Sequence, residues 1–168
     1  KGKKGATDEG GVRVPCLFRW PGQIPAGKTI PQIAGAIDLL PTLTDLAGIK
    51  HIGKKALDGK SLKPLLMGNS EGWPERMIFS KWTNKVSVRT QTHRLDHTGK
   101  LYDMIEDPGQ DQDISQQMPE LTQQLRRAVT DWKAEMASES TDEHRPLTVG
   151  FSSAPETQLP ARDGDYSG

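Results

Sequence analysis

The chain has 168 residues, enough for one domain with a core of its own. Yet only 33% of them are hydrophobic and mean hydropathy is −0.65, thin for a self-sufficient globule. The 22 basic and 22 acidic residues cancel, which excludes nucleic-acid binding by bulk electrostatics; no apolar run approaches the roughly 20 residues of a membrane span.

The first stretch, Lys1 to Pro21, opens on Lys1, Lys3 and Lys4 and crosses Gly10-Gly11, a pair suited to a positive φ or to close backbone approach. Flexible ammonium groups beside backbone N–H groups make a corner suited to an oxyanion, although lysines at such a position are more often simply solvated. Val12, Val14, Cys16, Leu17, Phe18 and Trp20 read as a strand buried on both faces, interrupted by Pro15. On that reading the single cysteine, Cys16, is a buried inert thiol, and an internal disulfide is excluded. Arg13 is placed to pair with the Glu9 carboxylate.

Gly22 to Thr29 spells GxxxxGK[ST], the phosphate-binding loop pattern. Such a loop must run straight into a helix whose first N–H groups face the phosphates. Pro31 disfavours helix at Ile30, and Pro25 removes a cradle N–H, so the segment reads as a surface turn. Asp38 to Gly48 is a predicted helix with Asp38 as N-cap, Gly48 as stop and Leu39, Leu40, Leu43, Leu46 and Ala47 as its apolar face. The His51, Lys54 and Lys55 group reads as solvated loop charge. Ser61 caps a short helix from Leu62 to Met67 that ends at Gly68-Asn69.

From Trp73 the hydrophobic period changes from helical to two. Met77 to Lys81, Lys85 to Thr90, Arg94 to Asp96 and Lys100 to Met104 predict a four-stranded antiparallel meander. His93 and His97 do not share a face on a strand and turn, and no metal site is assigned to them. Asp107 to Asp113 lacks the glycine and terminal glutamate of a calcium loop and reads as a solvated turn. Met118 to Met136 predicts a helix with Pro119 at its start, whose stripe of Leu121, Leu125, Val129, Trp132 and Met136 packs on the meander. Beyond Ala137 the chain loses periodicity and reads as an extended or mobile tail.

Separately spaced blocks recur in order along this chain. They are Lys4, Glu9-Gly10-Gly11, Arg13, Pro15 and Trp20-Pro21-Gly22; Ala36 to Thr42; Leu46-Ala47-Gly48; Leu57 to Leu62; Val88-Arg89-Thr90; Leu101-Tyr102-Asp103; and Asp107-Pro108-Gly109. In this wording the chain resembles the sulfatases of the alkaline-phosphatase superfamily. Ordered blocks over about 130 residues are far more specific than one short motif.

The resemblance implies an α/β fold: residues 1–70 as the end of a large mixed-sheet sandwich, 71–137 as a small antiparallel sheet packed by one long helix, and 138–168 as a tail. It also implies hydrolysis of sulfate monoesters, with a sulfate-ester small molecule or a sulfated glycan as substrate and no nucleic-acid partner. In the family a formylglycine hydrate is the nucleophile and a divalent cation, usually calcium, neutralises the sulfuryl oxygens. The Cys-x-Pro-x-Arg signature of that modification is missing, since Leu17-Phe18-Arg19 follow Cys16. Nucleophile and metal ligands are therefore expected upstream, making the chain a piece of a longer enzyme and inactive alone. One functional position of the family is matched, the lysine five residues before the Glu of Glu-Gly-Gly. That is Lys4, whose implied role is to bind the sulfate group and stabilise charge on the leaving oxygen. Lys1 and Lys3 do not match it and read as solvated. The hairpin around Lys81, Trp82 and Thr83 is a candidate pocket wall, with ordinary packing as the alternative. Periplasmic, secreted or lysosomal locations are usual for relatives. A related phosphodiesterase or phosphonate hydrolase, or a non-catalytic binding module, stays open as an alternative function.

Overall fold

Alternation along four short strands sorts the side chains onto two chemically different faces. The structure is a computed structural model that describes residues 1–50 and 55–139. Strands β1 (Ile78–Trp82), β2 (Lys85–Arg89), β3 (His93–Leu95) and β4 (Leu101–Asp103) form an antiparallel sheet in sequential order, the expected meander. Its register pairs Phe79 with Val88, Ser80 with Ser87, Trp82 with Lys85, Val88 with Leu95, Arg89 with Arg94, Arg94 with Tyr102 and Leu95 with Leu101. Directly opposed residues share a face. Phe79, Val88, Leu95 and Leu101 therefore point one way, and Ser87, Arg89, Arg94 and Tyr102 the other.

The apolar face is closed by the long helix α4 (Pro119–Glu139), as its four-and-three residue stripe predicts. Val88, Leu95, Leu101 and Leu125 are buried together, with Phe79, Leu121 and Val129 packed around them. Phe79 and Trp132 stack with ring centroids 5.1 Å apart. Residues Lys1–Ala134 make one compact unit and Glu135–Gly168 a second. In the second unit the described residues form the end of α4, where Ser138 Oγ donates to the Glu135 carbonyl at 2.7 Å. The tail expected from 138 lies, beyond Glu139, outside the described residues, as do His51 and Lys54.

The polar face is covered by the first thirteen residues. A single helical turn, α1 (Glu9–Val12), sits where the glycine pair was expected only to bend the chain. The strand predicted from Val12 to Trp20 does not form. Val14 is 75% and Leu17 94% exposed, and Cys16 is exposed as well, so the buried-thiol reading is corrected. An interior strand needs neighbours on both edges and layers on both faces, and no strand among the described residues pairs with 13–20. Phe18 alone of this run packs inward, with Ile24, Ile30, Leu46 and Trp73 against Leu62, Leu65 and Leu66.

A short 3-10 turn (Ala36–Asp38) leads into α2 (Leu39–Leu46), and α3 (Lys63–Leu66) follows. Asp38 is not an ordinary solvent-facing cap. Fully buried, it accepts from the Gly35 N–H, the Lys60 N–H and Arg76 Nη2, each at 2.8 Å. Gly59 lies so close that a Cβ there would overlap the Ile37 carbonyl. The apolar face expected on α2 is only partly covered, because Leu40 and Leu43 are more than half exposed and Leu46 alone joins the core. Ser61 helps to start α3 by accepting from the Lys63 N–H, and Gly68 ends it at φ +90°. The GxxxxGK[ST] segment runs into turns rather than a helix.

Candidate functional site

Lys4 sits in a turn whose backbone is pinned at several points. The Ala6 N–H donates to the Lys3 carbonyl at 2.8 Å, and the Gly10 N–H to the Lys1 carbonyl at 2.7 Å. Gly5 adopts φ +83°, a conformation that glycine reaches without penalty. Gly11 serves close approach, since a Cβ there would collide with the Ala6 carbonyl. The turn is therefore shaped by backbone contacts, and the Lys4 side chain projects from it into solvent.

The sheet supplies the anchor. Thr7 presents its carbonyl to Ser87 Oγ at 2.6 Å and to Arg94 Nη1 at 2.9 Å. Arg94 Nη2 lies 2.6 Å from Glu9 Oε2, while Arg89 Nε and Arg13 Nη1 approach the same carboxylate at 3.9 and 3.6 Å. The anticipated Arg13–Glu9 pair is thus present, but it is exposed, and the buried partner is Arg94. Burial, reinforced by Arg94 and Arg13, lowers the Arg89 pKa from its ordinary value, although Glu9 opposes the shift. Gln110, held at φ +59°, accepts from the Glu9 N–H at 2.9 Å and donates to Asp8 Oδ1 at 3.3 Å.

Lys1 corrects a second expectation. Although its side chain is 43% exposed, it is partnered: its Nζ donates to Tyr102 Oη at 2.9 Å and stands 3.6 Å from Asp96 Oδ2. The tyrosine hydrogen bond is the main reason its pKa is raised. Burial would raise the Asp96 carboxyl. Hydrogen bonds from the Thr98 hydroxyl and from the Lys100 and Thr98 N–H groups overcome it and hold Asp96 below the usual carboxylate value. Desolvation pushes Tyr102 up, so its hydroxyl stays protonated as a donor to Asp96 Oδ2 at 3.2 Å.

The other candidates resolve into structural roles. His93 Nδ1 contacts Thr92 Oγ1 at 2.8 Å, and His97 is exposed on the following turn. Asp107 uses its carboxylate to accept from the Asp111 and Gln112 N–H groups, which closes its own turn. Asp45 is held below the usual carboxylate value by hydrogen bonds from Ser61 and Lys63. A cleft of about 810 Å³ is lined by Ile33, Trp73, Arg76, Gln91, His93 and Gln124 among others, and no residue of the Lys4 turn reaches it. Arg89, Arg94, Tyr102 and Gln110 were not recognised as part of the site from sequence. Period two places the first three on one face, but nothing local says what covers that face.

Comparison with known proteins now fits this geometry. Residues 3–135 match the family described as N-sulphoglucosamine sulphohydrolase, C-terminal. The chain belongs to the sulfatases and carries their C-terminal portion. It is 32% identical to human arylsulfatase A over 159 residues, covering 74% of this chain and 31% of that protein. Mouse steryl-sulfatase is 39% identical over 79 residues, 47% of this chain and 13% of the relative. The crystal structure of Ps i-CgsB superposes with a TM-score of 0.68 at 28% identity, over 79% of this chain and 31% of that one. The same protein in complex with k-i-k-neocarrahexaose gives 0.67 at 29% identity over the same shares. The sulfatase chain thus spans under a third of these relatives.

Among the described residues no three His, Cys, Asp or Glu side chains gather into a metal-holding group, and Cys16 stands in an exposed, unstructured run. The described side chains do not fit a resident calcium ion, and the described cysteine, Cys16, lacks the Cys-x-Pro-x-Arg surroundings of a formylglycine. What this portion of a sulfatase presents is an exposed lysine, Lys4, on a hydrogen-bonded turn.

Proposed function

We propose that the protein carrying this chain is a sulfuric ester hydrolase and that Lys4 binds the sulfuryl group of its substrate. One observation supports the reading above all: the family match runs through the Lys4 turn, and that turn is clamped to the sheet by Glu9 and Thr7. A sulfate monoester carries one full negative charge, and cleavage shifts charge onto the leaving oxygen. With its turn fixed by backbone contacts, Lys4 presents its ammonium group to that charge from a set position in the chain. Lysine suits the task as a compact point charge with three donors.

Lys4 makes no side-chain hydrogen bond or ion pair among the described residues, so its charge is free for a ligand. Asp8 and Glu9 are the nearest carboxylates in sequence; Gln110 donates to Asp8, and Arg94, Arg89 and Arg13 surround Glu9. That arrangement keeps the turn in shape without drawing Lys4 into an internal pair. A formylglycine nucleophile and a divalent cation such as calcium belong, in this proposal, to sequence outside these 168 residues. The isolated chain is then inactive. Substrates fall into two groups, small sulfate esters and sulfated glycans; the k-i-k-neocarrahexaose complex of Ps i-CgsB supports the second.

The test is turnover of an aryl sulfate, followed as released phenol, by the full-length protein and by the 168-residue chain. Hydrolysis by the first and none by the second is the expected result. Turnover of a phosphodiester with no turnover of any sulfate ester overturns the reaction class.

A further inference from the structure

The hairpin between β1 and β2 carries a half-exposed aromatic ring beside the Lys4 turn. Trp82 ends β1 and is 52% exposed, although an indole is among the largest apolar surfaces a chain can bury. Its edge lies along Gly5: a Cβ at that glycine would stand 3.3 Å from Nε1 and 3.6 Å from Cε2. The ring thus rests against the residue next to Lys4 and leaves much of its surface open.

Register adds a second cation. Trp82 is directly opposite Lys85 across the two-residue turn, which puts both side chains on one face with Cβ atoms about 4.5–5.5 Å apart. That face is the one covered by residues 1–13, because Ser87 and Arg94 on it bind the Thr7 carbonyl. Lys81 pairs with Val86 and faces the helix side, which excludes it from the group. Neither Lys4 nor Lys85 has a carboxylate or hydrogen-bond partner for its side chain among the described residues.

We propose that Trp82, Lys85 and Lys4 form a subsite for an anionic sugar ring adjoining the sulfate held by Lys4. The proposal rests on the sulfatase reading and narrows its substrate to glycans bearing more than one anionic group. An indole face matches the C–H surface of a pyranose, with little entropy lost because only two side-chain torsions are fixed. A plain aryl sulfate has use for the ring but none for the second lysine. A multiply charged sugar uses both, and the charge of Lys85 beside the ring, without a partner among the described residues, favours it.

The experiment compares full-length wild type with Trp82→Ala, Trp82→Phe and Lys85→Gln. Binding of a sulfated carrageenan hexasaccharide and of an unsulfated agarose hexasaccharide is measured by titration calorimetry, beside kcat/KM on the sulfated hexasaccharide and on an aryl sulfate. Trp82→Ala is expected to weaken binding of the sulfated hexasaccharide at least tenfold. It should lower kcat/KM on the hexasaccharide at least tenfold more than on the aryl sulfate. Trp82→Phe keeps a ring and should recover most of the loss, which separates a lost platform from a damaged hairpin. Lys85→Gln should weaken the sulfated ligand and flatten its salt dependence. Equal losses on both substrates, equal affinity for both hexasaccharides, or unchanged binding in Trp82→Ala overturns the subsite. Absence of sulfate-ester turnover by the wild type instead overturns the sulfatase reading, and the calorimetry still decides the subsite.

Discussion

Arg94 and Glu9 are 85 residues apart in the chain, yet their side chains meet at 2.6 Å with Arg94 almost wholly buried. This contact, with the Thr7 carbonyl, ties the Lys4 turn to the sheet. Removing one partner of a buried ion pair leaves the other charge uncompensated, typically at a cost of about 3–5 kcal/mol. Glu9 keeps Arg89 and Arg13 nearby, so Arg94→Met should fall at the lower end, about 3 kcal/mol. Urea denaturation of the full-length protein measures it, with Glu9→Gln added to recover part of the loss. A change below about 0.5 kcal/mol, the scale of an ordinary surface substitution, would show that the clamp is idle.

Gly11 tests the same clamp through sterics. A methyl group here meets the Ala6 carbonyl, which belongs to the backbone and cannot rotate aside. Gly11→Ala is expected to destabilise the fold by about 1–3 kcal/mol, the usual range for overpacking. Thermal melting reads the effect, and an unchanged melting temperature contradicts the close approach.

Asp96 sets an acid limit. Its folded pKa lies below the ordinary carboxylate value because hydrogen bonds from Thr98 and Lys100 outweigh burial. A depressed carboxyl adds stability that is full above the unfolded value, about 4, and disappears as pH falls through the folded value. The stability gap between wild type and Asp96→Asn should therefore be widest near neutrality and close below pH ~4. Urea midpoints from neutral to strongly acidic pH check this. A gap that does not vary with pH removes Asp96 from the acid response.

Lys4 is the functional prediction. Loss of one preorganised electrostatic donor costs about 2–4 kcal/mol of transition-state stabilisation, or roughly 30- to 1000-fold in kcat/KM. Lys4→Ala in the full-length enzyme should fall in that range with its melting temperature unchanged, because the exposed side chain makes no hydrogen bond or ion pair among the described residues. Lys3→Ala is the comparison and should stay within about threefold of wild type, as for a solvated surface charge. Equal effects from both lysines would mean that only net charge matters.

Much of this was readable in one dimension. Local period and turn chemistry placed the β1–β4 meander and the stripe Leu121–Leu125–Val129 of α4, because alternation and the 3.6-residue repeat are properties of neighbouring residues. The ordered blocks around Lys4, Glu9-Gly10-Gly11 and Leu101-Tyr102-Asp103 likewise pointed to the sulfatases before any fold was in view. Tertiary structure decided which residues meet. The apolar run from Val12 to Trp20 predicts a buried strand, but such a run says only that it must be covered, and among the described residues Phe18 alone of it packs against a buried cluster. Conversely, Arg89, Arg94 and Tyr102 looked like the ordinary polar side of a sheet until residues 1–13 came to rest on it. A charged side chain's role depends on the partner that folding brings within a few ångströms, and neither spacing nor propensity encodes a contact 85 residues away.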